Sequence, residues 1–251
     1  MIESIVAGVL QGVFEWIPVS SEGIVSFVLR NYFGRTFNEA FNISIFLHLG
    51  TVLSSIYYFR NDIKKIWTTQ TAQDFRFTSF IFLATLLSFL VAGPLYLIIS
   101  IFETEIGFGS FLIGSMLIIT GLIQVFGKKL GKREYQDIRI KDAWLPGVLQ
   151  GFSIIPGISR SGVTLFGMLT NGFNVEAGFK ASFLMAIPVV IIADIFLGVV
   201  NNFFFRPEYL LGAAVSFFVG LFSIKALLSV SKKYNFGVIC IILGLLSIII
   251  G

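Results

Sequence analysis

The feature that most constrains this chain is a series of apolar runs, each about as long as a lipid bilayer is thick. A transmembrane helix needs about 20 predominantly apolar residues. Six runs are of that order, at residues 41–59, 77–99, 106–126, 177–198, 208–230 and 235–250. They are apolar on every side, whereas transmembrane β-strands alternate apolar and polar residues over about 10 positions. The sequence therefore predicts an all-α integral membrane protein.

The composition excludes the other broad classes. Hydrophobic residues make up 56% of the 251 positions and charged residues only 13%, against about 45–50% and roughly 25% in soluble domains. So few charges could not cover so much apolar surface in water, which excludes a soluble enzyme, a nucleic-acid-binding protein and a disordered chain. The net charge of +4 is better explained by basic cytoplasmic loops than by a nucleic-acid partner.

Two further apolar stretches, 2–29 and 143–171, are interrupted near their middle. The interruptions read Ile-Pro-Val-Ser-Ser-Glu-Gly at 17–23 and Ile-Pro-Gly-Ile-Ser-Arg-Ser-Gly at 155–162. Irregular backbone at membrane depth is tolerated only where it is buried in protein or lines a polar cavity. We therefore expect two re-entrant helical hairpins in addition to the six spans.

The two hairpins also begin with the same five residues. Gly-Val-Leu-Gln-Gly at 8–12 recurs at 147–151, and in both copies a proline, serines and a glycine follow. Three spans follow each copy, and an odd number of spans turns the second copy upside down. The pattern predicts one membrane domain over 1–251, with inverted repeats at about 1–127 and 140–251. The site is expected where the broken helices meet near mid-membrane.

The loop charges predict which face is cytoplasmic. If segment 60–76 is inside, then 127–141, 172–180 and 231–235 are inside too. These four segments hold 13 lysines and arginines, whereas the outside loops 30–39, 100–106 and 199–208 hold 3. Cytoplasmic loops carry the excess of basic residues. Both termini are then expected outside, and one hairpin enters the membrane from each face.

Arg160 is the most informative charged residue, because it lies at the tip of a hairpin between Ser159 and Ser161. A guanidinium inside the membrane is costly unless it is paired, and its planar fork suits a phosphate or a carboxylate. A helix start at residues 163–165 would add backbone N–H groups that attract an anion. The alternative is a salt bridge to Glu15, and both arrangements could hold in turn.

The first hairpin supplies carboxylates and hydroxyls. Glu15 follows Gln11 by four residues, so both lie on one helix face that Pro18 ends. Glu15 is a candidate divalent-metal ligand or general base, and Glu22 is either a second metal ligand or a solvated charge. Ser20 and Ser21 are candidates for a nucleophile or phosphate-orienting donors, or are only helix caps.

Three ionisable residues elsewhere have simpler interpretations. His48, the single histidine, lies inside the first span. An intramembrane histidine is a functional candidate, but a hydrogen bond to a neighbouring helix is the favoured interpretation. Asp194 and Asp142 are similarly interpreted as pairing or capping residues.

These residues resemble the undecaprenyl-diphosphate phosphatase family of the bacitracin-resistance type. The first family motif is Glu or Gln, three residues, Glu, then Pro-x-Ser-Ser-x-Gly. The second is Pro-Gly-x-Ser-Arg-Ser-Gly-x-Thr, and segments 47–51 and 182–188 are also similar to the family. The motif positions in this chain are Gln11, Glu15, Pro18, Ser20, Ser21, Gly23, Pro156, Gly157, Ser159, Arg160, Ser161, Gly162 and Thr164.

The resemblance implies a homodimeric plasma-membrane enzyme with six spans and two re-entrant hairpins. It implies hydrolysis of a polyprenyl diphosphate to the monophosphate plus phosphate, which recycles a lipid carrier, with help from a divalent cation such as Mg²⁺ or Ca²⁺. The family usually has histidine directly after the first motif's glycine, and this chain has Ile24 there.

We therefore expect a membrane polyprenyl-diphosphate phosphatase acting on undecaprenyl or a similar prenyl diphosphate, with a site that faces outside. Glu15, Ser20, Ser21 and Arg160 are the expected catalytic residues. The expected metal ligands are Glu15 and Glu22, and the expected substrate-binding residues are Gln11, Ser159, Ser161, Gly162 and Thr164. The alternatives are a lipid-phosphate transporter or flippase, which the inverted repeat favours, and a lipid-phosphate-binding protein without catalysis.

Overall fold

The computed structural model describes residues 1–68, 71–102, 110–126, 131–155, 157–200, 207–230 and 236–250. Within these ranges the chain is helical, and its only β-type pairing is an isolated bridge between Arg133 and Phe173. The helices are α1 Ile2–Phe14, α2 Ser21–Phe33, α3 Phe37–Tyr58, α4 Arg60–Thr68, α5 Ala72–Phe102, α6 Ser110–Phe126, α7 Trp144–Phe152, α8 Arg160–Thr170, α9 Val175–Val200, α10 Pro207–Val230 and α11 Phe236–Ile250.

Four of the helices are long and apolar enough to cross a membrane. Their spanning portions are Glu39–Tyr58, Ala72–Ile98, Val175–Phe196 and Tyr209–Leu228. This confirms the predicted all-helical, multi-pass membrane protein. The other two predicted spans correspond to the shorter apolar helices α6 and α11, and 106–109 and 235 of those predictions lie outside the described residues.

One predicted loop contains a helix. The sequence predicts a cytoplasmic loop over 60–76, but α4 occupies Arg60–Thr68 and α5 already begins at Ala72. Helix α4 is mostly polar, but it has a short apolar face: Ile63 and Ile66 pack against the main hydrophobic core. Helix α3 also begins four residues before its predicted start at 41, since Thr36 and Glu39 form a capping box.

Both interrupted stretches fold as two helices joined by a short loop, and the second helix starts the same way in each. Ser20 caps α2 by accepting a hydrogen bond from the Gly23 N–H at 3.1 Å. Ser159 caps α8 by accepting one from the Gly162 N–H, also at 3.1 Å. Each cap satisfies a backbone donor that the helix leaves unpaired. The shared serine and glycine spacing of the two motifs is therefore a shared way of starting a helix.

The repeated five-residue segment is a packing surface in both copies. A Cβ on Gly8 would overlap the backbone of Gly212, so α1 lies against α10. A Cβ on Gly151 would approach Val91 and the Ser88 carbonyl, so α7 lies against α5. Small residues permit such close approach of helices in membranes. Each hairpin therefore packs on the second long helix that follows the other hairpin.

Candidate functional site

The loops of the two hairpins meet in a buried cavity that α3, α5 and α9 complete. The Ser161 hydroxyl donates to the Ile17 carbonyl at 3.1 Å, which joins the two loops directly. On the other side of the first loop, Cys240 of α11 donates to the Pro18 carbonyl. The polar residues that line the cavity are Glu15, Ser20, Ser21, Glu22, His48, Ser88, Gln150, Ser153, Ser159, Arg160, Ser161 and Asp194.

Glu15 is the most heavily hydrogen-bonded side chain of the cavity. It directly follows α1 and is only 4% exposed. Its Oε2 atom accepts from the Gln11 amide at 2.7 Å and from the Ser21 hydroxyl at 2.7 Å, while Oε1 pairs with the Arg160 guanidinium. Three donors on one buried carboxylate stabilise its ionised form.

Arg160 reaches this carboxylate from the other hairpin, as the first residue of α8. Its side chain is 14% exposed, and only one end of the guanidinium is engaged by Glu15. Nη1 is buried and donates no hydrogen bond to the described part of the chain. Arg160 therefore brings both a salt bridge and a spare donor to the cavity wall, so the two sequence alternatives for this residue are compatible.

The adjacent serines differ in what their hydroxyls do. Ser20 is the N-cap of α2, and its oxygen accepts from the Gly23 backbone. Ser21 instead directs its hydroxyl proton at Glu15 Oε2. A hydroxyl hydrogen-bonded to a carboxylate is the arrangement in which a base can activate a nucleophile.

His48 lies nearer this cluster than the sequence indicated. Its Nε2 atom lies 3.2 Å from Glu15 Oε2 and 3.6 Å from Glu22 Oε1. The histidine therefore does contact a neighbouring helix, as expected, but the contact lies in the cavity wall. Ile24, at the position where the family usually has histidine, is not among the lining residues.

The two aspartates have opposite surroundings. Asp142 accepts from Arg133 at 3.0 and 2.6 Å and from the Arg139 N–H at 2.9 Å, so it both pairs and caps. Asp194, on α9, is 5% exposed and faces the cavity, and its Oδ2 accepts no hydrogen bond from the described residues.

Sequence reasoning did not place His48 or Asp194 in the site. The signal was their position as ionisable residues inside predicted spans.

Three of the predicted substrate-binding residues lie behind the cavity wall. Gln11 contacts the cavity only through its hydrogen bond to Glu15. Gly162 supplies the N–H that Ser159 caps, and the Thr164 hydroxyl bonds to the Arg160 carbonyl and to Ser182 of α9. These contacts hold the two loops in place. Ser159 and Ser161 do line the cavity, and their hydroxyls are 3.3 Å apart.

The donor set does not fit a metal held by side chains alone. Both oxygens of Glu15 already interact with protein donors, and the adjacent guanidinium would repel a cation. In the described ranges, no group of three or more His, Cys, Asp or Glu side chains is arranged to hold a metal ion. The divalent cation therefore stays a prediction of the sequence.

A buried arginine–carboxylate pair between two helical hairpins, with serine hydroxyls around it, defines a membrane protein with a candidate anion-binding and hydrolytic centre. The chain belongs to the bacitracin resistance protein BacA family, whose model matches residues 4–246.

Three relatives match along nearly their whole length, and each is named undecaprenyl-diphosphatase. The protein from Methanococcoides burtonii is 38% identical, over 98% of this chain and 97% of its own length. The one from Haloarcula marismortui is 34% identical, over 99% and 96%. The one from Saccharolobus solfataricus is 30% identical, over 98% and 94%.

Proposed function

We propose that this protein hydrolyses undecaprenyl diphosphate, or a similar polyprenyl diphosphate, to the monophosphate and inorganic phosphate. The observation that carries the proposal is the contact between Arg160, Glu15 and Ser21 in one buried cavity. It unites an anion-binding group, a base and a nucleophile. Membership of a family whose relatives are named undecaprenyl-diphosphatase supports the same substrate class.

Arg160 binds the diphosphate in this proposal. Charge stabilisation is the main task in phosphoryl transfer, and a guanidinium matches phosphate geometry with two parallel hydrogen bonds. Nη1 is available without breaking any hydrogen bond to the described residues. Ser159 and Ser161, on either side of Arg160 in the sequence, line the same cavity. The Ser159 hydroxyl orients a phosphate oxygen, while the Ser161 proton is donated to the Ile17 carbonyl and joins the two loops.

Glu15 and Ser21 carry out the displacement of the prenyl monophosphate from the terminal phosphorus. Glu15 takes the Ser21 hydroxyl proton, and Ser21 Oγ forms a bond to the terminal phosphorus. The bond from that phosphorus to the bridging oxygen breaks, and its electrons leave with the prenyl monophosphate. Water then attacks the phosphoserine and releases phosphate. The 2.7 Å hydrogen bond from Ser21 to Glu15 supports this assignment over Ser20, whose oxygen is engaged as a helix cap.

The fold that supports this chemistry is an inverted repeat of six spans and two re-entrant hairpins in one domain. The matched serine caps of α2 and α8 support it. So does the exchange of partners, in which α1 packs on α10 and α7 packs on α5. The homodimer implied by the resemblance stays a prediction.

The cavity faces the outer side of the plasma membrane in this proposal. Its lining residues Phe41 of α3, Ala92 of α5 and Asp194 of α9 lie in the helix halves that lead to segments 30–39, 100–106 and 199–208. These are the segments with few basic residues. The positive-inside rule places them outside, so the diphosphate is expected to enter from that face.

The test is phosphate release from undecaprenyl diphosphate by the detergent-purified protein, with Arg160→Ala as the control. Release by the wild-type protein well above that of Arg160→Ala is expected. Absence of release, together with retained binding of the lipid, would instead support a transporter or a non-catalytic binder. Phosphate release at the same rate from Arg160→Ala would remove Arg160 from the site.

A further inference from the structure

The cavity has a second, apolar wall that the reaction itself does not use. It is formed by α5 and α9, through Phe89, Ala92, Val189 and Ala193. We propose that the prenyl chain of the substrate leaves the cavity between these two helices and passes directly into the bilayer. This inference rests on the proposed prenyl-diphosphate site, and it adds the groups that recognise the chain.

The apolar wall reaches the lipid-facing surface of the protein. The four side chains that form it are half-buried, so they border both the cavity and the outside of the helix bundle. Directly beside them, Leu90 of α5 is 62% exposed and Ile192 of α9 is 47% exposed. Exposed apolar side chains on membrane-spanning helices face the acyl chains of the lipid. The line of contact between α5 and α9, called the α5–α9 seam below, is therefore where the cavity borders hydrocarbon.

The α5–α9 seam is closed on either side of this wall. Ala84 of α5 and Leu184 of α9 belong to one hydrophobic core, which closes the seam on the side of the basic segments. On the other side, the rings of Tyr96 and Phe196 meet edge to face with their centroids 5.7 Å apart. Between these two contacts lie about three helical turns of α5. The apolar wall of the cavity lies within that window.

The counterpart of this seam in the proposed repeat is packed shut. The first long helix after one hairpin lies against the second long helix after the other, so the pair α5–α9 corresponds to the pair α3–α10. At Gly50 of α3, a Cβ would overlap Ser216 and the Ala213 carbonyl of α10, so those helices are in direct backbone contact. Counted from the first residue of each helix, the position of Gly50 in α3 is that of Pro188 in α9. The proline ring adds bulk where α3 has only a hydrogen, and the cavity lies on this side of the molecule.

The two parts of a prenyl diphosphate make opposite demands on one cavity. The diphosphate needs the Arg160 side of the cavity, whereas the chain is a hydrocarbon whose transfer from lipid to water is unfavourable. Because one bond joins them, a polar wall must lie next to an apolar opening to the membrane. The cavity combines the two, with Arg160 on α8 and the opening at the α5–α9 seam.

The experiment adds bulk to the seam and, as a control, to a lipid-facing helix elsewhere. Ala92→Phe and Ala193→Phe fill the window. Ala214→Phe is the matched control, because Ala214 is exposed on α10 and lies outside the cavity lining. The detergent-purified proteins are tested for binding of the methylene-bridged analogue of undecaprenyl diphosphate and of methylenediphosphonate, which is the head group alone. Phosphate release from undecaprenyl diphosphate is measured on the same samples.

We expect Ala92→Phe and Ala193→Phe to bind the prenyl analogue about 10–200-fold more weakly than the wild type does, the usual effect of one added or missing apolar group in a pocket. Methylenediphosphonate should bind as it does to the wild type, because the polar wall is unchanged. Ala214→Phe should match the wild type for both ligands.

Truncation provides a second test that does not depend on whether the bulkier variants fold. Phe89→Ala removes a ring from the apolar wall, so the chain loses the dispersion contacts of that ring. Binding of the prenyl analogue should weaken while binding of methylenediphosphonate does not. Phe218→Ala removes a ring of the same size from the lipid-facing side of α10, where Phe218 is 61% exposed. It should change the binding of neither ligand.

Two outcomes overturn the assignment of the seam. One is binding of the prenyl analogue by Ala193→Phe and Phe89→Ala as tight as that of the two α10 controls, since the chain would then lie elsewhere. The other is an equal loss of both ligands, because the seam would then act on the head-group site.

Phosphate release distinguishes a failure of this inference from a failure of the proposed function. A wild-type protein that binds the prenyl analogue through the seam but releases no phosphate would overturn the hydrolysis and retain the chain-binding seam. A wild-type protein that releases phosphate, with seam variants that bind the analogue normally, would do the reverse. If the wild-type protein does not bind the prenyl analogue at all, both are overturned.

Discussion

Glu15 and Arg160 belong to different hairpins, and their side chains form a salt bridge in the cavity between them. Breaking a buried pair by removing one partner typically costs about 3–5 kcal/mol, so the pair helps to hold the two halves together. The same guanidinium keeps one nitrogen free of hydrogen bonds to the described residues. The same side chain therefore both joins the two hairpins and presents a donor to an incoming phosphate.

Replacing Arg160 by lysine should abolish most activity although the charge is kept. An ammonium is a point charge and cannot hold Glu15 and a phosphate oxygen with one planar fork. Loss of one transition-state donor costs about 10²–10³-fold in kcat, and we expect a loss of that order in phosphate release. A lysine variant with nearly wild-type turnover would show that the planar guanidinium of Arg160 is not needed to hold the phosphate.

Replacing Glu15 by glutamine separates a catalytic role from a structural one. Glutamine keeps the shape of the side chain but can neither take the Ser21 proton nor neutralise Arg160. We expect turnover to fall by about 10²–10⁴-fold, together with a lower melting temperature because the buried pair is lost. Both are measured on one sample. A variant with a lower melting temperature but full activity per folded molecule would show that Glu15 is not catalytic.

The two serines of the first loop form a matched pair for testing the nucleophile. Ser21→Ala removes the hydroxyl that Glu15 is placed to activate, so phosphate release per folded molecule should be lost. Some stability should be lost too, because a hydrogen bond to a buried carboxylate is removed. Ser20→Ala removes the helix cap of α2, which costs about 1 kcal/mol of stability, and should reduce turnover per folded molecule far less. If Ser20→Ala lost more activity per folded molecule than Ser21→Ala, Ser20 would be the better candidate for the nucleophile.

Much of the architecture follows from the sequence, because long apolar runs have few ways to satisfy their backbone in lipid. The pairing of Arg160 with Glu15 was also predictable as one of two alternatives, since a charge within an apolar stretch is costly unless it has a partner. The roles of Ser20 and Ser21 could not be separated, because neighbouring side chains point in different directions and the helix start sets which one faces Glu15.

The positions of His48 and Asp194 in the cavity wall could not be predicted, for a different reason. Each lies on a long helix, and what it faces depends on how α3 and α9 pack against the hairpins. Sequence spacing shows which residues share one face of a helix, but not which other helix packs against that face. Helix α4 was missed because its charges resemble those of a loop, while Ile63 and Ile66 are too few to give a clear period.

The contact of α3 with α10 at Gly50 should be intolerant of even one methyl group. A Cβ there would overlap the backbone carbonyl of Ala213, which cannot move away as a flexible side chain could. Overpacking of this kind typically costs about 1–3 kcal/mol, and α3 would have to shift with His48. We expect Gly50→Ala to lower both the melting temperature in detergent and kcat.

Gly93 provides the control for that substitution. It lies within α5, and a Cβ there would meet open space. Alanine is favoured over glycine in a helix by about 1 kcal/mol, so Gly93→Ala should leave the melting temperature unchanged or raise it. If Gly50→Ala is as stable and active as Gly93→Ala, the close packing of α3 on α10 does not set the position of His48.

Cysteine labelling in intact cells tests the orientation of the protein, and with it the face from which the substrate enters. The native Cys240 is fully buried, and replacing it by serine gives a background without thiols. Gln73 and Gln136 are exposed in the basic region expected inside, and Tyr32, 72% exposed, lies near the end of α2 expected outside. An impermeant maleimide should therefore label Tyr32→Cys but not Gln73→Cys or Gln136→Cys until the cells are opened. Labelling of either glutamine position in sealed cells would show that the protein has the opposite orientation, with the cavity open towards the cytoplasm.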